Sequence, residues 1–276
     1  MTDSSLFLDV DALAARIPDG ALVAVPADYA GVPMALARAL IRRGARDLRL
    51  VAVPATGIVA DLLIGAGCVA EIETSGVSLG EFGPAPRFTK AVREGRIRIK
   101  DATCPAVHAE LQAGEKGVPF MPLRGIIGSD LLRVRPDWKV IDNPYGEDDP
   151  IVLLPALRPD VAIFHAAMAD REGNVWVGRR AELRTMAHAA KGSCITVERL
   201  YDGDLLEDDR YAAGTIPAMY VEAVAEAADG AWPCSFWYGE RKADADHLRR
   251  YAEMVRSDEG FARYLDEFVL CRRVAA

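Results

Sequence analysis

Long apolar runs are missing from this chain. No uninterrupted stretch approaches the roughly 18 residues that a membrane-crossing helix needs, so no membrane span is expected. Basic clusters are missing too. The 33 Lys and Arg against 41 Asp and Glu leave a formal charge of −8, and the cations are scattered. That pattern argues against a nucleic-acid partner. Cysteine is sparse: Cys68, Cys104, Cys194, Cys234 and Cys271, with no C-x-x-C. An odd, widely spaced set argues against a disulfide framework or a structural zinc site, and fits free, mostly buried thiols in a reducing cytoplasm. The N-terminal stretch is acidic and amphipathic, without the basic start and unbroken apolar core of a signal peptide. Neither G-x-G-x-x-G nor G-x-x-x-x-G-K-[ST] occurs.

What is present is an alternation of two periods. "ALVAVP" (21–26) and "DLRLVAVP" (47–54) are short apolar runs ending at proline, as buried strands are. "PMALARALIRRGA" between them has helical spacing, with Pro33 near its start and Gly44 near its end. Helices are expected again over 57–67, 84–95 and 104–117, and strands over 96–101, 138–144, 160–166 and 193–200. Strands alternating with helices predict an α/β fold with a mainly parallel sheet between helical layers. "AMADREGNVWVG" reads as an appended hairpin, its turn freed by Gly173. Beyond about residue 203 the chain reads as helical and charged, a C-terminal helical cap on a core of about 18–202. No Ser/Gly linker separates the two, so residues 1–276 are expected to be one domain.

In open parallel sheets, ligands sit at the carboxyl ends of strands, which directs attention to the loops after 21–26 and 47–54. "VPADYAGVPM" leads from strand to helix, where backbone N–H groups and the helix dipole favour an anion, and Gly31 allows close approach. "SGVSLGEFGPAP" offers glycine backbone and hydroxyls, Ser78 and Gly80 among them, before another helix. "GVPFMPLRGIIGSD" is apolar, yet Pro119 and Pro122 oppose regular structure. Such a segment is expected to be buried beneath a cleft or a subunit interface, with Arg124 either paired to a core carboxylate or facing an anionic substrate. Cys104 and His108 stand one helical turn apart, a spacing that suits an activated thiol or ordinary packing. His165 and Glu198 end predicted strands. The histidine reads as a site residue or a hydrogen-bonded core residue, and the glutamate as a salt-bridge partner.

Four segments, in chain order, resemble one family. "GVPFMPLRGIIGSD" resembles the G-[LI]-P-F-x-P-[TL]-R-x-x-x-G-[ST]-D segment of the A (alpha) subunits of family I CoA transferases, the glutaconate CoA-transferase group among them. "DVAIFHAAMADREGNVWV", "CITVERL" and "GTIPAMYVEAVAEAADGAWP" resemble three further segments of the same subunits. The resemblance implies the CoA-transferase fold and a B (beta) subunit partner that carries the nucleophilic glutamate, so no catalytic residue is expected in this chain. It also implies acyl-CoA as ligand, coenzyme A as substrate with no bound cofactor, no metal, and a cytoplasmic heteromer. Residues expected to line the substrate and CoA site are Asp28, Tyr29, Gly31, Ser78, Gly80, Arg124 and Gly125. The family's first loop reads G-G-F-G-x-x-G-x-P. Here only Gly31 and Pro33 of that pattern remain, and Asp28 adds a negative charge. Related members hydrolyse CoA thioesters or open rings, so a hydrolase subunit is the alternative reading. A ligand-sensing module is a third, opposed by the lack of a DNA-binding segment.

Overall fold

The chain enters its main sheet through a two-residue strand, β1 (Phe7–Leu8), and a short helix, α1 (Val10–Ala15), capped by the Asp9 side chain at 2.7 Å from the Ala12 N–H. The structure, a computed structural model, describes residues 6–236 and 242–270. Three strand–helix units follow: β2 (Leu22–Pro26) and α2 (Met34–Arg43), β3 (Leu48–Val53) and α3 (Ile58–Gly65), β4 (Val69–Thr74) and α4 (Pro86–Arg93). Next come β5 (Arg98–Asp101) and α5 (Cys104–Lys116). Residues 120–155 hold β6 (Phe120–Leu123), α6 (Leu131–Val134), β7 (Lys139–Asp142) and β8 (Pro150–Pro155). The chain then returns through β9 (Val161–Ala169), β10 (Val175–Trp176), α7 (Ala181–Ala189), β11 (Ser193–Leu200), β12 (Thr215–Ile216) and β13 (Ala223–Glu226). It ends in α8 (Ala245–Met254) and α9 (Asp258–Phe268).

The main sheet runs β1-β13-β11-β9-β2-β3-β4-β5, with every neighbouring pair on that path parallel. Alternate residues of each strand feed separate cores. Val23, Val25, Leu50 and Ile163 pack with α1, α2, α3 and the C-terminal helices. Ala24, Val51, Phe164 and Ile195 pack with α5, α7 and the small sheet. Helical layers therefore cover both faces, which is why the strands read as unbroken apolar runs. The expected hairpin forms: Val175 and Trp176 pair antiparallel with Ala169 and Met168. Gly173 turns at φ 90°, and the Asp170 carboxylate accepts from the Asn174 and Leu205 N–H groups.

The structure corrects three expectations. Residues 120–155 form a separate antiparallel sheet, β6-β8-β7, so the 138–144 strand lies outside the parallel sheet. Pro122 sits on β6, an edge strand, where a missing N–H removes no ladder bond on the open side. Within this chain no cleft covers that segment: Phe120 is 44% exposed, and among residues 117–130 only Ile126 is buried. Beyond residue 203 the chain is not wholly helical. Ala223–Glu226 is a strand paired with β11, because burial between two strands outweighs the helical preference of its alanines and glutamate. The cysteines match expectation: among the described residues Cys68, Cys194 and Cys234 are buried free thiols and Cys104 is an exposed one; Cys271 lies outside the described residues.

Candidate active site

The strand order reverses at β2. From it, β3, β4 and β5 step one way, and β9, β11 and β13 the other. The crevice at such a reversal opens at the carboxyl ends of the strands. Here the loops after β3 and β4 keep pairing past their strands. The Thr56 N–H donates to Gly76 O at 3.2 Å, and the Ser78 N–H to Thr56 O at 3.1 Å. The Thr56 hydroxyl reaches back to Pro26 O at 3.4 Å, fastening both loops to β2. Between them lies a cavity of about 370 Å³.

Asp28 forms one wall. Its Oδ2 accepts from the Ile58 N–H at 3.0 Å, at the start of α3, so the carboxylate itself occupies the helix's anion-binding end. Its Oδ1 is buried with no hydrogen-bond partner. Burial, set against those backbone donors, raises this carboxyl to about 6. Gly57 makes the arrangement possible: a Cβ there would stand 2.1 Å from Asp28 Oδ2 and 2.5 Å from Ser78 O. The N–H groups of Asp28 and Tyr29 donate to no other described residue, which leaves two adjacent donors at the end of β2. The Tyr29 ring, 58% exposed, lies beside the Arg180 guanidinium at 5.4 Å, and Arg180 Nη2 holds the Tyr29 carbonyl at 2.8 Å.

Of the residues expected from sequence, Asp28, Tyr29, Ser78 and Gly80 line this one cavity. Ser78 also orders its own loop, accepting from the Gly80 N–H at 3.1 Å. Gly31 does something else. It turns at φ 77°, its carbonyl accepts from the His165 N–H at 2.7 Å, and a Cβ on it would meet His165 O at 2.2 Å. The start of α2 does not stand open to an anion, since the Ala35 N–H donates to Gly230 O. Arg124 and Gly125 are not among the residues lining the cavity. Arg124 is 67% exposed on the small sheet, where its guanidinium forks onto Asp149. Its neighbours there, Pro122, Leu123, Asn143 and Ile151, border a separate cleft of about 320 Å³.

His165 is a hydrogen-bonded core residue. It is fully buried, with Nδ1 2.9 Å from Thr196 Oγ1 and Nε2 2.7 Å from Glu198 Oε1. A carboxylate can only accept, so Nε2 carries a proton. Glu198 Oε2 in turn accepts from the Asp229 N–H at 2.9 Å, tying β9, β11 and the turn after β13 together. Cys104 meets Ser75 Oγ at 3.1 Å, while His108 borders another cleft with Tyr29 and Gln112.

Sequence reasoning missed Thr56, Glu81, Phe82, Cys234 and Leu248, all on the cavity wall. The rule about strand ends did mark the loop of Thr56, but no residue was drawn from it. Cys234 and Leu248 come from distant chain, and no local signal marks them. Burial, with Asp28 a secondary cause, pushes the Cys234 thiol well above its ordinary value.

Comparison with known proteins agrees with the fold. A family model described as coenzyme A transferase matches residues 8–227. The A subunit of the 3-oxoadipate CoA-transferase of Pseudomonas knackmussii is 32% identical over 257 residues, covering 92% of this chain and 89% of the relative. The cholesterol ring-cleaving hydrolase IpdA subunit of Rhodococcus jostii is 29% identical, covering 86% and 82% respectively. The crystal structure of glutaconate coenzyme A-transferase from Acidaminococcus fermentans superposes with a TM-score of 0.89 at 26% identity, over 98% of this chain and 90% of that one.

Proposed function

The chain belongs to the coenzyme A transferase family, and from that premise we propose that it is the A subunit of a cytoplasmic heteromer that moves CoA between an acyl-CoA and a carboxylic acid. The attacking glutamate belongs to a partner B subunit, coenzyme A is a substrate, and no cofactor stays bound. The observation that carries this reading is the cavity at the ends of β2, β3 and β4. Among the described residues the Asp28 and Tyr29 N–H groups have no acceptor, several hydroxyls line the cavity, and of its two carboxylates Asp28 is held by the Ile58 N–H while Glu81 stands at the exposed rim. The cavity is equipped to stabilise an oxyanion rather than to attack. The partner's carboxylate adds to the thioester carbonyl, the oxyanion settles on the N–H groups of Asp28 and Tyr29, and CoA thiolate departs to leave an acyl anhydride. The thiolate then attacks the glutamyl carbonyl, giving the enzyme–CoA thioester and freeing the first acid. A second acid reverses both steps. Asp28, Tyr29, Ser78 and Gly80 line the site in this reading, and Gly31 shapes its loop.

Exposed apolar surface supports a partner. Among the described residues, seven of the thirteen exposed large apolar side chains fall between Val118 and Tyr145, a concentration expected of a chain that works against another surface. No helix among the described residues is long and apolar enough to cross a membrane.

Borohydride supplies the test. Incubation of the co-purified heteromer with acyl-CoA, then borohydride, should inactivate it by reducing the glutamyl-CoA thioester. Glu81→Gln should leave that inactivation intact, because Glu81 is a rim carboxylate and not the nucleophile. Loss of trapping in this variant would place the nucleophile in this chain. Full survival, with CoA released in the absence of any acceptor acid, would establish the second reading, a thioester or ring-opening hydrolase. That reading is favoured by Asp28 in place of a loop glycine and by the likeness to the ring-cleaving hydrolase.

A further inference from the structure

The cavity carries charge of one sign. Asp28 enters from the loop after β2 and Glu81 from the loop after β4, and no Lys, Arg or His among the described residues lines it. Most of the remaining wall is apolar: Ala27, Tyr29, Leu79, Phe82, Cys234 and Leu248. Asp28 is fixed in place, its Oδ2 held by α3 and its Oδ1 buried without a donor. Its charge is felt at Cys234 on another part of the wall, where it helps to raise the thiol. Arg180, the cation beside Tyr29, is committed to the Tyr29 carbonyl and to Glu182.

We propose that this cavity receives an acyl chain with an uncharged, apolar end and rejects acyl chains that carry a second carboxylate. The inference rests on the transferase reading for the thioester and deepens it by fixing the class of acyl group. A distal carboxylate is an acceptor only, and it would enter a space whose wall already carries the carboxylate residues Asp28 and Glu81. It would lose hydration, find no described cation, and stand beside two like charges. An alkyl or alkenyl end loses nothing there and leaves water for Phe82, Leu79 and Leu248.

Hexanoyl-CoA and adipoyl-CoA share chain length and differ by the terminal carboxylate. Binding of each to the assembled heteromer is measured by calorimetry, and kcat/KM of each with acetate as acceptor. Hexanoyl-CoA should be favoured by about tenfold or more in both measurements, since an unpaired buried polar group discriminates strongly. Glu81→Lys, at an exposed rim position, should lower that ratio by improving adipoyl-CoA. Adipoyl-CoA binding as tightly as hexanoyl-CoA would overturn the inference, and so would a ratio untouched by Glu81→Lys. A heteromer that prefers hexanoyl-CoA in binding but passes CoA to no acid would uphold the inference and remove the transferase reading alone.

Discussion

Carboxylates at the strand ends and carboxylates around the small sheet live by different rules. Near the cavity, half-buried Asp28 and fully buried Asp61 meet neutral donors: the Ile58 N–H for one, the Phe88 N–H and the Tyr251 hydroxyl for the other. Burial dominates, and each carboxyl is raised to about 6. On the small sheet, Asp149 meets the Arg124 fork and Asn143, which hold it down at about 2, and Asp137 is likewise lowered by Arg135. Neutral donors satisfy the carboxylates beside the cavity, and no Lys, Arg or His among the described residues lines it. Arginines elsewhere consume the acids they meet and serve architecture.

The sharpest break in that contrast is at Arg135. It is 2% exposed, stacks on the Trp138 ring at 4.0 Å, donates to Asp101 O at 3.0 Å and pairs with Glu73, Glu110 and Asp137. Through it the small sheet is bolted to β4, β5 and α5. Arg135→Ala would leave Glu73 and Glu110 buried together: Glu73 keeps Lys100 at 3.0 Å, and Glu110, its carboxyl raised to about 8 by burial and by Glu73, keeps the Trp138 indole N–H at 2.7 Å. Removing one partner of a buried ion cluster costs about 3–5 kcal/mol, and the low end applies because Lys100 remains. Urea unfolding should show the midpoint fall at unchanged slope. A loss under about 1 kcal/mol would mean that this cluster behaves like a surface pair.

An effect of comparable size, but of opposite electrostatic origin, belongs to Asp61. It fastens α3 to α4 and α8 beneath the cavity loops. Its native carboxyl holds a proton up to about 6, against 3.8 unfolded. The unfolded chain therefore releases that proton first as pH rises, and the folded state loses ground between about 4 and 6, by on the order of 3 kcal/mol for this group. Asp61→Asn removes the group from the linkage. Its stability should fall less steeply than the parent's across that window, while Asp28's share of the slope remains. Parallel pH–stability curves for the two proteins would show that Asp61 is ionised when folded.

The readable and unreadable parts of the sequence divide along similar lines. Local chemistry was legible. Pro33 and Gly44, the latter at φ 71°, bound α2, and the apolar runs of β2, β3, β9 and β11 announced a sheet covered on both faces. Four of the seven expected site residues then meet at one cavity: Asp28 and Tyr29 by strand-end logic, Ser78 and Gly80 by the composition of their loop, whose preceding strand β4 was not read from the sequence. Long-range packing was not legible. "AVAE" looks helical until β11 and β1 flank it. "FMPL" looks unfit for a strand until its Pro122 falls on an edge. Nothing local distinguishes Arg124 from Arg135, since what separates exposed fork from buried bolt is which carboxylates the fold delivers to each.

Arg124 is therefore where the comparison is tested at its weakest point. The guanidinium is mostly solvent-exposed, and its partners, Asp149 and through it Asn143, belong to the same small sheet region. Arg124→Ala should move the melting temperature by no more than about 2 °C, as exposed pairs contribute little. Asp149 should titrate closer to its ordinary 3.8, because the first cause of its depression is the Arg124 hydrogen bond. If activity of the heteromer is also unchanged, the arginine serves the small sheet alone. A raised KM at a constant melting temperature would say that substrate reaches Arg124 in the assembled enzyme. That would join the two regions, which this chain by itself holds apart.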